Sequence, residues 1–133
     1  MATLVDSNVL LDLLTGDANR AAWSEHALRR AALAGPLLIN DVIYAELVPG
    51  YRSIEALDAA VATLEVDLAA MPRAALFLAA RVFAAYRRRG GVRTGVLSDC
   101  CIGAHAAASG LPLLTRDVAR YRQDFPGLRL IAP

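Results

Sequence analysis

Short apolar runs recur along this chain between much longer stretches of helical periodicity, and that alternation constrains the fold more than any other feature. The runs are residues 2–5, Leu37-Leu38-Ile39, Leu111-Pro112-Leu113-Leu114 and Leu128-Arg129-Leu130-Ile131. The segment Glu65-Val66-Asp67-Leu68 reads equally as a strand or a connector. Strands that alternate with helices predict an α/β fold, a mostly parallel sheet with helices on both faces. Ser7 or Asn8 is placed to cap the first helix, which ends near Leu14 before Thr15-Gly16-Asp17. The second spans 18–34, with Ala22, Trp23, His26, Ala27 and Arg30 at helical spacing, and stops at Gly35-Pro36. Asn40 or Asp41 caps a third through Leu47, broken at Pro49-Gly50. Ser53 opens a fourth, with Ile54, Leu57, Val61 and Leu64 on one stripe. Pro72 suits the first turn of a fifth, which carries Leu76, Phe77, Ala80, Phe83 and Ala84 and ends at Gly90-Gly91. A sixth opens at Ser98-Asp99 and closes at Gly110, and a short one follows Asp117 to about Asp124.

The length of 133 residues predicts a single domain over 1–133. Apolar residues make up 56% of the chain and charged ones 20%, which excludes a disordered composition. The net charge of +1 neither announces nor excludes a nucleic-acid partner, because local patches outweigh the sum. All 14 cationic residues are arginine, so each can make a planar, bidentate contact to phosphate or carboxylate. The only cysteines, Cys100 and Cys101, are adjacent and cannot build a disulfide framework, which predicts a reducing compartment. No signal-peptide pattern and no long uninterrupted apolar run is present, so the expected location is the cytoplasm, away from the membrane.

Ligands of open α/β sheets bind outside the carboxyl ends of the strands. Four acids fall there. Asp6 ends the first strand, Asp99 lies in the first turn of the sixth helix, and Asp117 follows the strand that ends at Leu114. Glu46 is the only charge between Val42 and Val48, a costly position for an acid without a partner. An acid in a helix's first turn also favours the helix dipole, which accounts for Asp99 or Asp117 taken singly. The four together point further. Clustered carboxylates repel and raise one another's pKa, and a divalent cation resolves that conflict. Oxygen-only ligands suit Mg²⁺ or Mn²⁺, which lower the pKa of bound water and neutralise charge on a phosphodiester.

The residues Leu4-Val5-Asp6-Ser7-Asn8-Val9-Leu10-Leu11, Ala45-Glu46-Leu47, Ser98-Asp99 and Leu113-Leu114-Thr115-Arg116-Asp117 resemble the PIN-domain pattern over essentially the whole chain. The length resembles VapC-type toxins of toxin–antitoxin pairs. The resemblance implies a three-layer α/β/α sandwich and an endoribonuclease that depends on Mg²⁺ or Mn²⁺. It also implies a homodimer and a small VapB-like antitoxin whose tail lies across the active groove. Carried over by position, Asp6, Glu46, Asp99 and Asp117 form the acidic quartet. Asp6 and Asp99 lead as metal ligands, Asp117 follows, and Glu46 ligates a metal or orients the attacking water. Asn40 stands where the family often has a hydroxyl residue, and Cys100-Cys101 is unusual in a stretch of small residues.

Ser7 and Thr115 are placed to hydrogen-bond the ligating carboxylates, and Arg116 to contact phosphate or pair with the acids. Arg87-Arg88-Arg89 with Arg93 is either a solvated helix end or a grip for RNA phosphate or for acidic groups of the antitoxin. His105 points away from the face of Asp99, and His26, one turn from Trp23, reads as packing. A nucleophilic Cys100 lacks a histidine partner, so packing is expected. A receiver domain would need a lysine, and the chain has none; a haloacid-dehalogenase-like phosphatase would need an acid where Asn8 stands. The remaining alternatives are a PIN nuclease outside toxin–antitoxin systems and a catalytically idle PIN-like binding module.

Overall fold

The computed structural model describes residues 1–133. Five short strands form one sheet: β1 Thr3–Val5, β2 Leu37–Ile39, β3 Val66–Leu68, β4 Leu113–Leu114 and β5 Leu130–Ile131. All pairings are parallel, in the order β3-β2-β1-β4-β5. The ambiguous segment is therefore an edge strand, entered through Glu65 in a left-handed turn at φ 55°. Pro112 stands at the start of an interior strand. It is tolerated because it lies before β4, and its carbonyl accepts the Leu4 N–H.

The helices are α1 Ser7–Thr15, α2 Ala21–Ala34, α3 Asp41–Leu47, α4 Ile54–Thr63, α5 Arg73–Arg88, α6 Val96–Ser109 and α7 Val118–Arg122. A 3-10 turn at Val48–Gly50 follows α3. Right-handed crossovers put α1 to α4 on one face of the sheet and α5 to α7 on the other. The packing of α1 on α2, and of α6 on both α5 and α7, agrees with three layers. The central strands are buried on both sides, as a parallel sheet requires, and Leu4, Val5, Leu113 and Leu114 have no exposed surface. Ile43, Leu47, Leu57 and Ile102 complete the core from the helices.

Several local expectations shift. Asp6 itself caps α1, its carboxylate accepting the Ser7 N–H, in place of Ser7 or Asn8. The buried stripe of α2 is Ser24, Ala27, Leu28 and Ala31, leaving His26 and Arg30 exposed. On α5 the buried positions are Ala75 and Ala79, while Leu76 and Phe77 are 48% and 64% exposed. Small residues let α5 lie close on α6; Leu76 and Phe77 are turned outward, while Leu78, Val82, Phe83 and Tyr86 pack part-buried against the core. The helix α6 starts two residues before Ser98, because Gly95 at φ 79° turns the chain into it. Asp99 stays in the first turn.

Candidate active site

The strand order runs outward from β1 through β2 to β3, then resumes on the other side of β1 with β4 and β5. The switch point lies between β1 and β4, where the departing chains separate and leave a crevice. Asp6 is the first residue past β1 and Thr115 the first past β4. They meet there: the Thr115 hydroxyl donates to Asp6 Oδ2 at 2.8 Å.

Asp6 is fully buried, a cost that only a dense set of donors offsets. Oδ2 accepts Thr115 and the Tyr121 hydroxyl, both at 2.8 Å, with the Asn8 amide at 3.4 Å. Oδ1 accepts the Ser7 N–H at 2.8 Å. The Ser7 hydroxyl lies 3.5 Å from that oxygen but 2.9 Å from Glu46 Oε1. It has one proton, and the shorter contact takes it. Asp6 Oδ1 thus keeps a lone pair, and Ser7 ties Glu46 to Asp6. Thr115 also accepts the Asp117 N–H at 3.1 Å, so one hydroxyl links Asp6 to the start of α7.

Asp117 caps α7, Oδ1 accepting the Arg120 N–H. Its Oδ2 lies 3.2 Å from Arg120 Nε, and Arg120 Nη1 lies 3.2 Å from Asp99 Oδ1. One guanidinium therefore bridges two of the four acids. Glu46, Asp99 and Asp117 line a cleft of about 380 Å³ together with Arg93 and Arg120. Burial pushes Asp99 up to about 6; Arg120 opposes this, and the charges of Asp6 and Glu46 add to it. Glu46 is likewise raised, by burial first and by Asp6, against the Ser7 hydrogen bond. As they stand, no three acids are close enough together to grip one ion.

The larger cavity, about 660 Å³, opens at the opposite, amino-terminal edge among Leu13, Leu28, Leu37 and Leu64. Its charges are the Glu25–Arg29 pair and Glu65, with no convergent reactive set. Chemistry therefore favours the smaller cleft.

Other sequence-predicted residues fall outside the cluster. The Arg116 guanidinium turns to Asp12 on α1, contacting it through Nε and, at 3.0 Å, through Nη2. Ser24 supports the same carboxylate at 2.6 Å. The Arg116 N–H donates to Asn8 Oδ1, so Arg116 ties the loop after β4 to α1. His105 is buried against Asn40, with 3.0 Å between Nδ1 and the amide nitrogen, and its pKa is lowered by burial. Burial raises Cys100 to about 11, which keeps it a thiol despite its helix position. Arg89 pairs with Asp124 at 2.8 Å, Arg87 and Arg88 are exposed, and Arg93 reaches the cleft.

Arg120 and Tyr121 were not anticipated. Arg120 is one helical turn after Asp117, a spacing that brings a cation back over its capping acid. Tyr121 is the large apolar body between two arginines, the residue of this short helix best suited to burial. With its pKa raised by burial and by Asp6, it stays a neutral donor.

The family profile described as PIN domain matches residues 3–126. A comparison with curated proteins finds no match. Among solved structures, VapBC2 from Rickettsia felis bound to a promoter DNA fragment aligns at TM-score 0.76 and 16% identity, covering 100% of this chain and 99% of that one. VapBC-1 from nontypeable Haemophilus influenzae aligns at 0.74 and 18%, covering 99% and 98%. DNA-bound VapBC from Salmonella typhimurium aligns at 0.68 and 18%, also covering 99% and 98%. At these identities the likeness is one of fold.

Proposed function

The chain belongs to the PIN domain family, and from that premise we propose that it is a metal-dependent endoribonuclease acting as the toxin of a toxin–antitoxin pair. The observation that carries the proposal is the convergence of Glu46, Asp99 and Asp117 on one cleft at the switch point, beside Asp6. The donor set fits a hard divalent cation: every candidate ligand is a carboxylate oxygen, and Asp99 and Glu46, raised by burial first and by neighbouring carboxylates second, are acids whose charged form a cation would favour. Asp6 through Oδ1, Asp99 and Asp117 would hold Mg²⁺ or Mn²⁺, with Glu46 as a further ligand or a water-orienting base. Bound there, the metal supplies charge neutralisation at the phosphodiester and a more acidic water.

The chain's own residues do the rest. Thr115 and Tyr121 fix the Asp6 carboxylate, Ser7 holds Glu46 beside it, and Arg93 gives the cleft a cation for the RNA backbone. The partner is proposed as a small VapB-like antitoxin, supported by fold-level neighbours that are toxin–antitoxin complexes. Exposed Leu76 and Phe77 on α5 offer apolar surface for a second copy in a homodimer. No helix is long and apolar enough to cross a membrane.

A second reading, an idle PIN-like binding module, draws support from Arg120, which already neutralises Asp99 and Asp117. Incubating purified protein with structured RNA, with Mg²⁺, Mn²⁺ or EDTA, separates the two. The nuclease reading expects cleavage with either metal, none with EDTA and none by Asp6→Asn. Equal cleavage by wild type and Asp6→Asn would sink it, and no cleavage under any condition would favour the idle module.

A further inference from the structure

Three arginines of this chain contact carboxylates near the sheet's carboxyl edge or α7, and they do so differently. Arg116 grips Asp12 with two nitrogens, and Asp12 is 5% exposed and braced by Ser24. Arg89 meets Asp124 at 2.8 Å. Arg120 makes one contact each to Asp99 and Asp117, both at 3.2 Å, beyond the usual charge-assisted length of about 2.7–2.9 Å. Its side chain remains 33% exposed and lines the same cleft as the two acids. These are single, long contacts between groups that water reaches, the kind that exchanges readily.

We propose that Arg120 is an internal counter-cation that a divalent metal displaces from Asp99 and Asp117, and that the released guanidinium then binds a non-bridging phosphate oxygen of the RNA. The inference rests on the proposed metal-dependent activity. A guanidinium and a metal ion compete for the same carboxylates, so Arg120 weakens metal binding. Arg120 is the third residue of α7, whose start Thr115 and Asp117 fix, so its backbone does not leave the cleft when the ion pairs break. Its planar fork has then lost its acids and faces the space where a phosphodiester enters, and that fork matches phosphate geometry. The same side chain thus carries two effects of opposite sign, a penalty on metal binding and a benefit to cleavage. A residue that merely braced the acids would help both.

The test is Mn²⁺ binding, followed by the free-ion electron paramagnetic resonance signal, on wild type and Arg120→Gln. Single-turnover cleavage at saturating Mn²⁺ follows on the same proteins. The expected result is about tenfold tighter Mn²⁺ binding for Arg120→Gln, the scale of two part-exposed ion pairs, with cleavage slower by about tenfold or more. Arg120→Met, which keeps the aliphatic stem, carries the same expectation if the Gln variant melts early. Unchanged or weaker Mn²⁺ binding in both variants would overturn the displacement. Cleavage as fast as wild type would overturn the phosphate role. If wild type binds no Mn²⁺ at all, the proposed activity itself fails and takes this inference with it.

Discussion

Asp6 and Asp99 stand at the same edge of the same sheet, one just past β1 and the other in the first turn of α6. Asp6 is wholly buried, with Thr115, Tyr121, Asn8 and the Ser7 N–H arranged around it. Asp99 faces a cleft, and its nearest cation is a side chain with a single 3.2 Å contact. One half of the acidic edge is therefore fixed by a dense set of buried hydrogen bonds, and the other is held by an exchangeable ion pair. The difference teaches how a carboxylate cluster survives folding without metal. Donors committed to Asp6 offset its burial, while Arg120 offsets the repulsion around Asp99 and leaves the acids available.

If that division is right, substitutions in the two halves part company. Asp99→Asn and Asp6→Asn should each lower cleavage by about a thousandfold, the scale of losing a metal's stabilisation of the transition state. Only Asp6→Asn should also unfold earlier, by about 2–3 kcal/mol in urea denaturation, because its amide faces donors that need an acceptor. Equal stability losses in the two variants would erase the distinction. Arg116→Ala tests the frame beneath the fixed half. Leaving Asp12 buried without its partner should cost about 3 kcal/mol, read as a lower denaturation midpoint with an unchanged slope.

A smaller effect is expected of Tyr121→Phe. It removes one of two strong donors to Asp6 Oδ2 while keeping the buried ring, which predicts about 1–2 kcal/mol lost and cleavage slowed several-fold. The smallest effect concerns pH. Asp99 sits at about 6 when folded, above its ordinary 3.8, so the unfolded chain releases this proton first. Its contribution to stability is full below about 4 and is lost as pH rises through about 6. His105, lowered by burial, works the other way and weakens the protein as pH falls below its ordinary 6.5. The readout is therefore a difference: between pH 4.5 and 7, wild type should lose a few degrees of melting temperature relative to Asp99→Asn. Parallel curves would show that Asp99 is not strained.

The sequence made four of the five strands legible because each is a short, mostly aliphatic run bounded by turn or cap residues; β3, an edge strand interrupted by Asp67, reads equally as a connector. The placement of Asp6, Glu46, Asp99 and Asp117 followed from the same boundaries. What surrounds them did not. Tyr121 lies 115 positions from Asp6, and its role appears only when α7 packs behind β1 and β4. Arg116 and Arg120 look interchangeable in the chain, one beside Asp117 and one a turn beyond it. A rotation about the short loop sends the nearer one to Asp12 and the farther one into the cluster. The α5 stripe is right at Phe83, which packs on the core, and wrong at Leu76 and Phe77, because size and burial part ways where helices approach closely. Ala75 and Ala79 fit between α5 and its neighbours, and Phe77 does not.

Mn²⁺ titration of wild type beside Asp6→Asn and Asp99→Asn tests most directly whether the edge is a cation site with one fixed and one exchangeable half. The expected result is saturable binding by wild type that both substitutions weaken by tenfold or more, about 1.4 kcal/mol, with folding retained by Asp99→Asn. Binding that is absent in wild type, or equal in all three proteins, would contradict the account.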